Sequence, residues 1–247
     1  MIHLTIDDQA IEIPLGYTVL QAARDAKRGI HIPTLCYLES LLPYAACRLC
    51  LVEIATPRGR RSPSGESKLV ASCAYPCEEG LVVRTNTEQV LDARRTVVEL
   101  LMSTAGHLPV VQKLAQELGV QAPYVQLAPN DCILCGLCVR ACREIVGVGA
   151  ISLTHRGMER AVSTPFEISS ADCIECATCT LVCPTGAIRI EDITRPARTS
   201  HVWASAYARR ACRLCESEPP GPPFPQDYRE LLGMQTPALA RRCKCER

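Results

Sequence analysis

Two runs of four cysteines, Cys132-Cys135-Cys138-Cys142 and Cys173-Cys176-Cys179-Cys183, constrain this chain more than any other feature. Each is spaced C-x2-C-x2-C-x3-C, which suits a pair of cubane clusters held by three thiolates of one run and the last thiolate of the other. The physical reason is chain direction. After each loop a helical turn carries the fourth thiolate away from its own cluster and toward the neighbour. Cys132, Cys135 and Cys138 are therefore expected to share a cubane with Cys183, and Cys173, Cys176 and Cys179 to share theirs with Cys142. The second run ends in Cys183-Pro184, as this pattern expects, whereas the first ends in Cys142-Arg143, a departure from it. One such run could serve zinc, but two, joined by a spacer able to fold back as a hairpin, point to iron–sulfur chemistry.

Composition agrees. A chain of 247 residues is long enough for one large domain or two to three small ones. It carries 17 cysteines, yet MIHLTIDDQAIEIP alternates like a strand and has no basic region followed by an apolar one. Disulfide-rich secreted domains are short and do not space their cysteines this way, so a reducing, cytoplasmic compartment with metal-bound thiolates is expected. Apolar stretches fall far below the ~20 residues that span a bilayer. With 27 basic and 26 acidic residues the net charge is +1, which gives no field for nucleic acid. Aromatics are 4% of the chain, too few for a base-stacking platform.

The first 85 residues read as a mixed α+β unit. Residues 2–7 and 10–14 alternate as a strand pair with Asp7-Asp8 at the turn, and Thr18 to Arg28 follows as an amphipathic helix stopped by Gly29. Residues 50–55 and 68–72 alternate like strands around the polar stretch TPRGRRSPSGES, and residues 81–85 close the unit. The connections are too short for a doubly wound sheet. Cys36, Cys47, Cys50 and Cys73 lie in its loops as C-x10-C-x2-C-x22-C. A 2Fe–2S rhomb needs four thiolates converging from a long loop and one further strand, and this order supplies them. A zinc site using Cys47 and Cys50 is the competing reading, although zinc more often pairs two C-x2-C knuckles. Cys77 is left over, as a free or buried thiol.

The segment PTLCYLE…ACRLCLVEI…VASCAYPCEEGLVVRT resembles the N-terminal β-grasp 2Fe–2S domain of the large iron–sulfur subunit of respiratory complex I. It resembles equally the diaphorase iron–sulfur subunit of NAD-reducing hydrogenases and the N-terminal region of NAD-dependent formate dehydrogenase. In those families a histidine-and-three-cysteine site, H-x3-C-x2-C-x5-C, follows, and a pair of 4Fe–4S ferredoxin motifs comes next. The chain keeps that order over residues 1–192 and departs from it at one place. Counting from His107, the cysteine positions fall at Val111, Leu114 and Val120, none of which can ligate iron. The middle cluster is expected to be absent and residues 86–128 to form a helical, apolar connector, with a helix over 88–105 whose face includes Val90, Val97 and Leu101.

Residues 129–192 form the expected two-cluster ferredoxin module, with a hairpin between 146 and 168 turning at Gly157. Ile133, Val139, Ile174 and Val182 between the cysteines would wall cubanes from water, and Arg140, Arg143 and Arg189 either offset cluster charge or sit as solvated surface charges. The tail, 193–247, carries Cys212, Cys215, Cys243 and Cys245 around a proline-rich span. Two close pairs could meet on zinc or a further 4Fe–4S cluster; free thiols in a disordered tail are the alternative.

No G-x-G-x-x-G follows a strand and no P-loop appears, so nicotinamide or ATP binding by this chain is not supported. The expectation is an α+β iron–sulfur protein, non-catalytic alone, with one 2Fe–2S and two 4Fe–4S clusters. The resemblance implies a cytoplasmic multi-subunit oxidoreductase, in which the chain relays electrons between an NAD(H)-linked flavoprotein and a separate catalytic subunit. That subunit would be a hydrogenase, a formate dehydrogenase or another low-potential reductase. The alternative is an iron–sulfur scaffold that mainly shapes such a complex.

Overall fold

A computed structural model describes residues 1–26, 29–55, 67–164, 173–174 and 176–189. The tail cysteines Cys212, Cys215, Cys243 and Cys245 lie outside these described residues. The chain divides into two compact units, Met1–Cys135 and Gly136–Arg247.

The first unit opens with strands β1 (Ile2–Ile6) and β2 (Gln9–Ile13). Ile2, Leu4 and Ile6 point into the core while His3 points out, as a period of two requires. The turn between them places Asp7 and Asp8 at φ 46° and 64°. That left-handed pair matches the twist of the flanking strands. Helix α1 (Val19–Asp25) starts on a capping box: Thr18 Oγ1 accepts from the Gln21 amide at 3.3 Å, and Gln21 Oε1 accepts from the Thr18 amide at 2.9 Å. It is shorter than the periodicity alone suggests, with its C-cap at Ala26.

Strands β3 (Leu51–Ala55), β4 (Lys68–Ala71) and β5 (Leu81–Arg84) complete a five-stranded sheet in the order β2-β1-β5-β3-β4. β1 and β5 are parallel and the other pairs antiparallel. Val19, Leu20, Ala22 and Ala23 of α1 bury against Ile6, Val52, Ile54 and Val83, so one helix covers the sheet in the β-grasp manner.

Helix α2 (Glu88–Ala105) is capped by Thr87 Oγ1, which accepts from the Val90 amide at 3.3 Å. Helix α3 (Pro109–Leu118) begins with proline in its first turn and ends on Gly119 at φ 70°. The two helices pack as a pair. Val111 and Leu114 are buried, and Val120 packs beside Leu114 against Leu35, Leu49 and Val98. The positions at which the resembling families carry thiolates are therefore core positions here.

In the second unit, short helices α4 (Leu137–Arg140) and α5 (Thr178–Leu181) pack together. A π-helical turn over Ala141–Ile145 continues from α4. Strands β6 (Ser152–Thr154) and β7 (Ala161–Ser163) form a hairpin through a 3-10 turn at Gly157–Glu159. The turn falls where Gly157 predicts it, and among the described residues the pairing runs from Ser152–Thr154 to Ala161–Ser163, leaving 146–151 outside it.

Candidate metal centres

In the first unit, the loop after α1 carries Cys36 and Cys47, Cys50 stands at the entrance to β3, and Cys73 follows β4. The sheet register brings the last two together. β3 and β4 pair Leu51 with Ala71, and the Ser72 amide donates to the Cys50 carbonyl at 3.0 Å. The start of α1 fixes the same corner, with the Leu20 amide donating to the Ser72 carbonyl and the Val19 amide to the Tyr75 carbonyl, each at 3.0 Å. Ala45 and Arg48 take left-handed φ values of 57° and 60°, which folds the loop around Cys47 tightly enough for its amides to face sulfur.

The four sulfurs interact as two pairs. The Cys47 amide donates to Cys36 Sγ at 3.3 Å. The Cys36 thiol holds Cys47 down to about 6, against its burial, and the Leu49, Leu35 and Cys36 amides add to the effect. The same bond keeps Cys36 protonated, well above an ordinary thiol. Likewise the Cys73 thiol draws Cys50 down to about 7 against its burial, helped by the Cys73 amide and the Ser72 hydroxyl, and is itself pushed up. Thiolates stabilised by amide donors are the form that binds metal. Cys77 stands apart: its amide donates to the Tyr17 carbonyl at 2.9 Å, and burial pushes its thiol up to about 11, which makes it an inert core thiol.

Orphaned buried polar atoms test whether this corner fits a 2Fe–2S cluster. Ser72 Oγ, Arg94 Nε and Tyr75 Oη are buried without a hydrogen bond of ordinary geometry among the described residues. Ser72 faces Cys50 closely enough to favour its thiolate, and Arg94 Nη2 donates to the Leu51 carbonyl at 2.7 Å, one residue along. Polar groups left unsatisfied beside a sulfur ligand fit a site that holds negative charge. Sequence reasoning missed both residues. The signal for Arg94 was its spacing, since positions 90, 94 and 98 share one face of a helix.

In the second unit, one cavity is lined by Cys142, Cys173, Cys176 and Cys179, with Val146, Val148, Ala150, Ile151 and Ile174 among its other walls. It joins the last cysteine of the first run to the first three of the second. Burial raises the Cys179 thiol to about 12, with Cys176, Cys173 and Cys142 adding to the rise. In a regular helix Cys138 and Cys142 would stack on one face; the π turn falls on Cys142 instead. Gly136 and Ala177, which precede α4 and α5, both take left-handed backbone, φ 76° and 58°. Each follows the second cysteine of its run, so the two loops repeat one local design. Thr178 Oγ1 lies 3.2 Å from Cys176 Sγ and Thr185 Oγ1 lies 3.4 Å from Cys183 Sγ, adding hydroxyls around sulfur. The charge of Arg140 is met by Glu144 through contacts of 3.0 and 2.9 Å, and Arg143 reaches the same carboxylate at 3.4 Å. Two guanidinium groups share one carboxylate, so the trio keeps a net positive charge.

Cys132 and Cys135 belong to the first unit. The Cys132 amide donates to Asn130 Oδ1 at 2.8 Å, and Ile133 packs on the core beneath α2 and α3. His107 Nε2 lies 2.6 Å from Asp131 Oδ1, so the one residue kept from the family's histidine-and-three-cysteine motif is paired with a carboxylate.

The comparisons with known proteins agree with this construction. Residues 1–88 match the 2Fe-2S iron-sulfur cluster binding domain family and residues 131–187 the 4Fe-4S dicluster domain family. The chain is therefore an iron–sulfur protein with one 2Fe–2S and two 4Fe–4S clusters. In these two domains it is similar to subunits of NADH-quinone oxidoreductase and of NADP-reducing and NAD+-reducing hydrogenases.

Among its relatives are a subunit of the NADH-quinone oxidoreductase of Rhizobium meliloti, 36% identical over 87% of this chain, and the HndD subunit of the NADP-reducing hydrogenase of Solidesulfovibrio fructosivorans, 36% identical over 76%. The chain spans 27% and 36% of the length of those two proteins. A crystal structure of NAD+-reducing [NiFe]-hydrogenase in the H2-reduced state matches with a TM-score of 0.56 and 28% identity, over 88% of this chain and 85% of that one. Among the described residues no helix is long and apolar enough to cross a membrane.

Proposed function

We propose that this chain is the electron wire of a cytoplasmic multi-subunit oxidoreductase, relaying single electrons between an NAD(H)-linked flavoprotein and a separate catalytic subunit. One observation carries the reading: a single chain gathers thiols at two centres of different kind. Iron–sulfur clusters supply reversible one-electron transfer when bound, and two kinds on one chain suit passage between partners of different potential. The names of the relatives, which are subunits of NADH- and NADP-linked complexes, support the same partners.

Cys36 and Cys47 would hold one iron of the rhomb, and Cys50 and Cys73 the other, following the two sulfur pairs. Cys173, Cys176, Cys179 and Cys142 would hold one cubane, Cys132, Cys135, Cys138 and Cys183 the second. The protein's part is to exclude water with the aliphatic walls, to aim amides and hydroxyls at sulfur, and to fix the thiolates in place. Domain limits at 1–85, 86–128, 129–192 and 193–247 follow from the same assignment, with the tail cysteines as a candidate fourth site.

The test uses the full chain prepared without oxygen, with NADH and an NAD(H)-linked flavoprotein. Rapid appearance of both 2Fe–2S and 4Fe–4S EPR signals is expected. Clusters that stay oxidised there, yet accept electrons from dithionite, would favour a scaffold and overturn the relay.

A further inference from the structure

Arg94 is the least accountable charge among the described residues. It lies 2% exposed on α2, with Val90 and Val98 fully buried one turn to either side. Two other helical arginines meet carboxylates: Arg95 meets Asp92 at 2.7 Å, and Arg140 meets Glu144 at 2.9 Å. Arg94 makes no ion pair among the described residues. Its Nη2 donates to the Leu51 carbonyl, and its Nε has no partner. Asp7 is the acid whose charge reaches it, and that carboxylate is bonded to Thr85, whose amide donates to it at 2.7 Å. An isolated buried guanidinium is costly unless negative charge lies close by. The larger negative influence is sulfur, because Cys50 is the residue before Leu51 and stands at 1% exposure. Ser72, 0% exposed, approaches the same cysteine from the β4 side.

We propose that Arg94 is a fixed counter-charge for the 2Fe–2S cluster, and that with the Ser72 hydroxyl it raises the reduction potential of that cluster. The inference rests on the 2Fe–2S assignment to Cys36, Cys47, Cys50 and Cys73. Reduction adds one electron and no proton, so the reduced cluster carries one more negative charge than the oxidised one. A positive charge held in a water-excluded interior therefore stabilises the reduced form more than the oxidised form. Arginine suits the task because it stays protonated when buried. Its carbonyl bond to Leu51 locks it to the strand that follows Cys50. Arg94 is thus a positioning residue that acts through the field at the ligand, and α2 places it where the chain leaves the β-grasp domain for the connector.

The experiment is an EPR-monitored redox titration of the full chain and its Arg94→Met, Arg94→Lys and Ser72→Ala variants, with the 4Fe–4S signals as internal reference. Arg94→Met should lower the reduced-to-oxidised ratio of the 2Fe–2S signal at least tenfold at a given ambient potential, which is about 59 mV for a one-electron couple. Arg94→Lys keeps the charge and should stay within about threefold, and Ser72→Ala should fall in the same direction as Arg94→Met by a smaller factor. The 4Fe–4S midpoints should not move. An unchanged 2Fe–2S midpoint in Arg94→Met overturns the proposal. If Arg94→Met does not retain the cluster, Arg94→Lys decides: a tenfold fall there overturns it, and an unmoved midpoint sustains it. Absence of a 2Fe–2S signal from the unaltered chain would instead sink the ligand assignment beneath it.

Discussion

At the residue scale, backbone strain and ligand identity make separate predictions. Ala177 occupies left-handed space, φ 58° and ψ 10°, where its counterpart in the other run is Gly136. An alanine pays about 1 kcal/mol for that conformation and a glycine does not. Ala177→Gly should therefore delay the thermal loss of cluster absorbance, and earlier loss would show that the alanine methyl packs usefully. Cys142→Ala tests the cavity. Although Cys142 sits in the first run, its thiol faces the thiols of the second, so the cluster signal lost should be the one built on Cys173, Cys176 and Cys179. His107→Ala should leave iron content and reduction rate unchanged. Its pairing with Asp131 is half-exposed, and such a pair contributes at most about 1 kcal/mol. Loss of iron on that substitution would make His107 a ligand.

At the element scale, α1 both covers the sheet and fixes the corner that carries Cys73. Thr18→Ala removes one half of the capping box and leaves the Gln21 amide without its acceptor. The cost should be about 1 kcal/mol of domain stability, measured by denaturant unfolding of the loaded chain, with the 2Fe–2S signal lost before the 4Fe–4S signals. Simultaneous loss of all signals would mean that the cap does not act locally. The elements were largely legible in the chain. Alternation marks β1 and β2, Asp7-Asp8 marks their turn, Thr18 marks the start of α1, and the α2 limits follow from its periodicity. The face of α2 was not. Val90, Val97 and Leu101 suggest one stripe, yet the buried line runs Val90, Arg94, Val98, because hydrophobicity gives no reason to place an arginine in a core. What admits it is a neighbouring thiolate far away in sequence, and periodicity carries no information about such a neighbour.

At the scale of the whole molecule, cysteine spacing made the centres legible before any fold was known. Thiolate geometry depends on local loops, and local loops follow from short spacings. The supporting groups were not legible, because Ser72 and Arg94 reach the Cys50 corner only through strand register and helix docking. The connector lies between these cases. Val111, Leu114 and Val120 show in the sequence that thiolates are missing, and the structure packs Leu114 and Val120 with Leu35 and Leu49, and Val111 with Ala105 and Leu108. With no thiol at those three positions, iron content becomes a test of the whole assignment. One 2Fe–2S and two 4Fe–4S clusters require about ten iron atoms per chain, and a further cubane on the tail cysteines would raise this to about fourteen. Iron and acid-labile sulfide should be measured together on anaerobically reconstituted chain. About eight irons or fewer in fully loaded material would mean that at least one cysteine set does not ligate a cluster, and the accompanying EPR signals would show which.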